Sequence, residues 1–168
     1  MSVPPVSVPI MSEIGVVVRP AQAQDLDGVV ACSAALFAED AGTRDPSLNI
    51  AWPREHGAAR FAAAMDDPAR LVLVADDAGR IVGHLTGSLS GPTAMRPVAV
   101  ATLGSMYVQP PYRGRGVGAR LVAEFRAWAR EHGAQYAGVT AYAGNEGAVR
   151  FYLRHGFATR STVLEATL

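Results

Sequence analysis

The chain predicts a mixed α/β fold, one sheet that is part antiparallel and part parallel, with helices on both faces. Short β-branched runs and helical apolar stripes alternate in the order β α α β β β α β α β. Three consecutive strands favour an antiparallel meander, whereas the strand–helix–strand run that begins at Val98 favours a right-handed parallel crossover. Size agrees: 168 residues, 49% of them hydrophobic, suit one domain over 13–168 with a real core, behind a tail at 1–12.

The tail carries Pro4, Pro5 and Pro9 and little periodicity, so it is expected to be flexible. Patterning begins directly after Met11, which makes Met11 a candidate natural start. Ile14–Arg19 (IGVVVR) reads as a strand closed by Pro20. Asp25 then precedes Leu26, Val29, Val30, Ser33, Leu36 and Phe37 at helical spacing, and 41–49 reads as a loop. A second helix is expected over Pro53–Met65, its proline in the first turn. Two strands, 71–75 and 80–89, flank DDAG, a hairpin turn with glycine at the positive-φ position. After a loop at 91–97 comes a long strand, 98–108.

QPPYRGRG is too rich in glycine and proline for helix or strand. Val117, Leu121, Val122, Phe125, Trp128 and Ala129 then form a strong helical stripe that ends at Gly133. A strand at 136–142 and a helix from Asn145 through His155 follow. Gly156 ends that helix, and 157–168 is expected to supply at least one final strand.

Composition removes several function classes. Fifteen acidic and fifteen basic residues balance, which argues against a protein built to grip nucleic acid or anionic lipid. No apolar run approaches the roughly 20 residues that span a bilayer. Cys32 is the single cysteine, so no disulfide framework exists, and the start lacks a secretory pattern; a cytoplasmic setting is expected. Every basic residue is arginine. Without lysine there is no Schiff-base chemistry and no Walker-A loop. His56, His84, His132 and His155 show no metal-ligand spacing, so no metal is expected.

The most informative segment is SMYVQPPYRGRGVGARL, residues 105–121. A strand enters a turn with glycine at 114, 116 and 118 and leaves directly as an amphipathic helix. Glycine lets a ligand approach the backbone, and the first helical turn offers unpaired N–H groups at the positive end of the dipole. Arg113 and Arg115 add charge. This is a pyrophosphate-shaped turn. Gly114-x-Gly116-x-x-Ala119 matches the dinucleotide fingerprint, but no acid follows at the end of YAGVTAY to hold a ribose, which disfavours a nicotinamide enzyme.

Arg113-Gly114-Arg115-Gly116-Val117-Gly118 resembles the Q/R-x-x-G-x-G/A signature of the GNAT superfamily of acetyl-CoA-dependent N-acetyltransferases. Asn145 to Phe157 (NEGAVRFYLRHGF) is similar to a second segment of that family, N-x-x-A-x-x-F-Y-x-x-x-G-F, at every fixed position. The resemblance covers about 14–168 and is strongest over 98–157. It implies a mostly antiparallel sheet of six to seven strands flanked by four helices, with a bulge in the fourth strand and a splay between the fourth and fifth. The pantetheine arm would enter that opening along Met106, Tyr107 and Val108, and the pyrophosphate would rest on Arg113, Gly114, Arg115, Gly116, Val117, Gly118 and Ala119.

Asn145 is both an expected helix cap and, by resemblance, a contact to the cofactor arm. Tyr152 is implied as the acid that protonates the departing CoA thiolate. The oxyanion would be met by a backbone N–H of Met106 or Val108. The base is open: where some family members carry a glutamate this chain has Thr102, and no carboxylate occurs between 98 and 123. Glu39 and Asp40, with Asp45 and His84, are candidate acceptor-side residues, and their acidity hints at a cationic amine. The expected reaction is acetyl transfer to a primary amine, on a small molecule or a protein N-terminus. The alternative is a non-catalytic acyl-CoA sensor on the same fold. A homodimer is an expectation by analogy alone.

Overall fold

Strand β2 (Arg70–Asp77) shows how the sheet acquires two buried faces. In the computed structural model, which describes residues 15–168, its side chains alternate between two cores. Leu71, Leu73 and Ala75 join Leu121, Val122 and Phe125 on one face, while Val72 and Val74 join Val29 and Phe61 on the other. A strand buried on both sides needs the continuous apolar run that LVLVA supplies.

β1 (Val16–Pro20), β2, β3 (Arg80–Ser90), β4 (Ala99–Val108) and β5 (Ala134–Val139) lie in sequence order. The first three pairings are antiparallel and β4–β5 is parallel. Helix α3 (Val117–Glu131) makes the crossover and covers the larger core; α1 (Leu26–Leu36) and α2 (Trp52–Met65) cover the smaller. Helix α4 (Glu146–Arg154) follows β5. The β2–β3 hairpin turns through Ala78 at φ 50° and Gly79 at φ 91°. The glycine fits the sequence reading; an alanine in the left-handed region does not, and it carries strain.

Three expectations are corrected. The sheet has five strands among the described residues, not six to seven. The segment 157–168 forms no strand, and Val163, Leu164 and Leu168 are exposed. The adjacent Val163 and Leu164 would fall on opposite faces of any strand, so no single apolar face drives pairing. Residues 41–44 are helical rather than looped: α1 widens into a π-helical stretch at Phe37–Ala41 and ends in one turn, Gly42–Arg44. The expected tail at 1–12 and the candidate start Met11 lie outside the described residues.

An arginine–carboxylate cluster pins β1 to this frame. Arg19 donates to both oxygens of the buried Asp25, at 2.6 and 3.0 Å, and to Asp76 on β2 at 2.9 Å. Asp25 also accepts from the Gln22 N–H at 2.8 Å, where the chain turns into α1. The Arg19 bonds, chiefly, hold the Asp25 carboxyl below its ordinary range.

Candidate active site

The site starts where pairing stops. β5 pairs with β4 from Ala99 to Leu103, and Gly104 to Val108 have no β5 partner. At the same point the β3–β4 register slips: Thr86 opposes Ser105 and Gly87 opposes Leu103, leaving Gly104 as a bulge. The bulge stands in the fourth strand, where the resemblance put it, and pairing with the fifth strand stops beside it. The Gln109 N–H donates to Val82 on β3 at 2.8 Å, so by alternation Met106 and Val108 direct their N–H and C=O groups away from β3, into the gap. The Val108 carbonyl is met by Arg113 Nε at 2.7 Å; the Val108 N–H and both backbone groups of Met106 are left without a β5 partner.

The gap leads to the glycine turn. Gly114 (φ 71°) and Gly116 (φ 79°) are left-handed, and a Cβ on either would meet open space. Their glycines serve backbone conformation and access. Gly116 is the N-cap of α3, and its carbonyl accepts the first helical bond, from Arg120 at 3.0 Å. The N–H groups of Val117, Gly118 and Ala119 precede that bond. Gly118 has a second duty, because a Cβ there would press on the Phe151 ring at 3.3 Å.

Arg113 and Arg115 behave differently. Arg113 donates to the Val108 carbonyl at 2.7 Å and forms a bidentate pair with Glu39 at 2.7 and 2.8 Å, while its guanidinium lies 5.3 Å from the centre of the Tyr107 ring. The pair lowers the Glu39 pKa and raises that of Arg113, each mainly through the hydrogen bonds. Arg115 is exposed and makes no ion pair among the described residues.

Asn145 caps α4 by accepting from the Ala148 N–H at 3.1 Å, and its amide nitrogen donates to Asp40 at 2.9 Å. Asp40 also pairs with Arg44 at 3.3 Å. One side chain thus ties the head of α4 to the helical extension of α1. Tyr152 packs against Phe151 and Phe157. Its hydroxyl has no hydrogen-bond partner among the described residues. Burial first, and Asp40 second, push its pKa up to about 12, so the phenol keeps its proton at neutral pH.

His84 is fully buried and reaches no solvent. Its Nε2 lies 3.2 Å from the Ser105 hydroxyl, which lies 2.8 Å from that of Thr86, and its Nδ1 has no partner. Burial lowers its pKa to about 4, so the ring is neutral. Beside this polar row a cavity of about 280 Å³ opens between α1, α2 and the sheet, lined in part by Phe37, Trp52, Arg60, Arg70 and Ser105. Among the described residues no group of three or more His, Cys, Asp or Glu is placed to hold a metal ion, and no helix is long and apolar enough to cross a membrane.

The half of β4 that β5 leaves uncovered thus runs into a glycine-headed helix. The chain belongs to the acetyltransferase (GNAT) family, which matches residues 37–157. An uncharacterized N-acetyltransferase of Mycobacterium tuberculosis is 36% identical over 104 residues, 62% of this chain and 63% of that one. A mycothiol acetyltransferase of Propionibacterium freudenreichii is 31% identical over 138 residues, 82% of this chain and 41% of that one. The chain thus spans less than two thirds of these curated relatives. The fold is shared with a Bacillus halodurans protein (TM-score 0.77, 21% identity, 90% and 99% of the two chains) and with an aminoglycoside N-acetyltransferase in complex with CoA (TM-score 0.73, 17% identity, 96% and 99%).

Sequence reasoning missed the Arg113–Glu39 pair, the Asn145–Asp40 tie and the arginines of the cavity. Each joins residues far apart in the chain, and no local spacing signals it. The N-cap character of Asn145 was the one accessible clue.

Proposed function

We propose that the chain moves the acetyl group of acetyl-CoA to a primary amine in a ternary complex. The observation that carries the reading is the unpaired stretch of β4, Gly104–Val108, which runs toward the free N–H groups of Val117–Ala119. The outward N–H and C=O of Met106 and the N–H of Val108 would pair with the pantetheine amides, the Val108 carbonyl being held by Arg113, and the α3 terminus with Arg115 would bind the pyrophosphate.

The amine nitrogen attacks the thioester carbon, the C–S bond breaks, and the nitrogen loses a proton while the CoA sulfur gains one. Tyr152 donates that proton to the leaving thiolate and is reprotonated by the one the nitrogen releases; its raised pKa keeps it in the required acid form. A backbone N–H in the gap, from Met106 or Val108, meets the carbonyl oxygen as charge develops. Asn145 acts by fixing α4, and with it Tyr152, against Asp40.

Calorimetric titration of acetyl-CoA, CoA and NADH tests the binding half. Both CoA species should bind and NADH should not. Gly116→Trp should abolish that binding while the melting curve stays cooperative; undiminished affinity would remove the turn from the site. Thiol release with a panel of amines then tests turnover.

A further inference from the structure

The cavity beside β4 carries chemistry of its own. Gly104 and Ser105, the bulge residues at which β4 leaves β5, form part of its wall, so it borders the start of the uncovered half of β4 on the α1–α2 side. Its lining includes Arg60 and Arg70 and no aspartate or glutamate. Arg60 is exposed and makes no hydrogen bond or ion pair among the described residues. Arg70 meets only Asp67, through Nε at 3.7 Å, which leaves its terminal nitrogens unpaired. Opposite in character stand Phe37 and Trp52, stacked with ring centres 6.0 Å apart and planes 16° apart. The floor is hydroxylic, with Ser33, Thr86, Ser88 and Ser105.

Glu39 and Asp40, the acidic residues nearest on the α1 side, are engaged elsewhere. Glu39 is held bidentately by Arg113, and Asp40 is shared by Arg44 and Asn145. His84 behind Ser105 is neutral and adds no charge. Arg60 is thus the unpaired charge of the lining, and Arg70, beside Asp67, keeps its two terminal nitrogens free; both are planar donors suited to a carboxylate or phosphate group.

We propose, resting on the acetyl-transfer reading above, that this cavity holds the amine acceptor and selects one that also carries an oxyanion, a carboxylate or a phosphate, on an apolar or aromatic body. Arg60 and Arg70 take the anionic group, Phe37 and Trp52 contact the body, and the amine points past Ser105 to the thioester. This is the reverse of a polycationic acceptor.

The test measures kcat/KM by thiol release on matched pairs: phenylalanine against phenethylamine, phosphoethanolamine against ethanolamine, with spermidine as the polycation. At least one oxyanion-bearing member should exceed its neutralised partner by about tenfold or more, and the preferred pair tells carboxylate from phosphate. Arg60→Gln and Arg70→Gln should each raise KM for that acceptor by about tenfold, with KM for acetyl-CoA unmoved. Arg60→Glu should shift preference toward the amines without an oxyanion. Equal or better use of phenethylamine, ethanolamine or spermidine overturns the acceptor proposal alone, as do arginine variants with unchanged KM. Absence of acetyl-CoA binding in the calorimeter overturns the acetyl-transfer reading and this proposal with it.

Discussion

Two arginines of this chain grip carboxylates bidentately, and their surroundings set them apart. Arg19 with Asp25 has side chains 26% and 6% exposed, and the pair is reinforced by Asp76 and the Gln22 N–H. Arg113 with Glu39 has side chains 42% and 48% exposed, at the mouth of the strand gap. Water screens the second pair on both sides and reaches the first only through Arg19, because the Asp25 carboxylate is buried. The buried cluster is a structural tie between β1, β2 and the start of α1. The exposed pair joins the glycine turn to the helical extension of α1 and is worth little to stability.

Breaking the buried tie should have the largest effect. Asp25→Ala leaves Arg19 without its main partner and should cost about 3–5 kcal/mol of stability, measured by denaturant unfolding. The pH dependence has a definite sign. Because the Asp25 carboxyl is held low in the folded chain, its contribution is full above the ordinary carboxylate pKa of about 4 and fades as pH falls through the lowered value. The stability gap between wild type and Asp25→Asn should therefore narrow below about pH 4. A gap constant down to pH 2 would contradict the linkage.

Next in size is Tyr152→Phe, expected to lower kcat about a hundredfold while leaving acetyl-CoA affinity intact. With the phenol raised to about 12, the wild-type profile should show no falling limb from Tyr152 between pH 7 and 10. Such a limb, absent in the Phe variant, would assign Tyr152 a different state.

Glu39→Gln sharpens the contrast from the exposed side. Stability should change by less than about 1 kcal/mol. Loss of the negative charge beside Arg113 should tighten CoA binding a few-fold at low salt, an effect that shrinks as salt is added. Weaker binding would mean that Glu39 holds Arg113 in a productive position. Smallest of all, Ala78→Gly relieves the left-handed alanine beside Asp76 and should raise stability by about 0.5–1 kcal/mol.

The legible parts of the molecule were those written in local periodicity. The α3 stripe from Val117 to Ala129, the apolar run of β2 and the cap at Asn145 are short-range patterns, and each forms as read. The extension of α1 was hidden because Gly42, Asp45 and Pro46 carry loop chemistry, and a π-helical widening has no sequence period of its own. Glu39 and Asp40 looked like free acceptor-side charges; only the fold brings Arg113 and Asn145 onto them from 74 and 105 residues away. The cavity arginines were likewise unreadable, since one comes from α2 and the other from the first position of β2.

The gap in the sheet also bears on how long the chain stays folded. β5, the last strand of the sheet among the described residues, covers only the first half of β4, so a ligand that pairs with Met106 and the Val108 N–H would act as a guest strand there. Their amides should exchange with solvent freely in the empty chain and slowly in the occupied one. Occupancy at 100 times Kd would add about 2.7 kcal/mol to the folded state. If acetyl-CoA is that guest, as proposed, the lifetime of the folded chain would follow its supply.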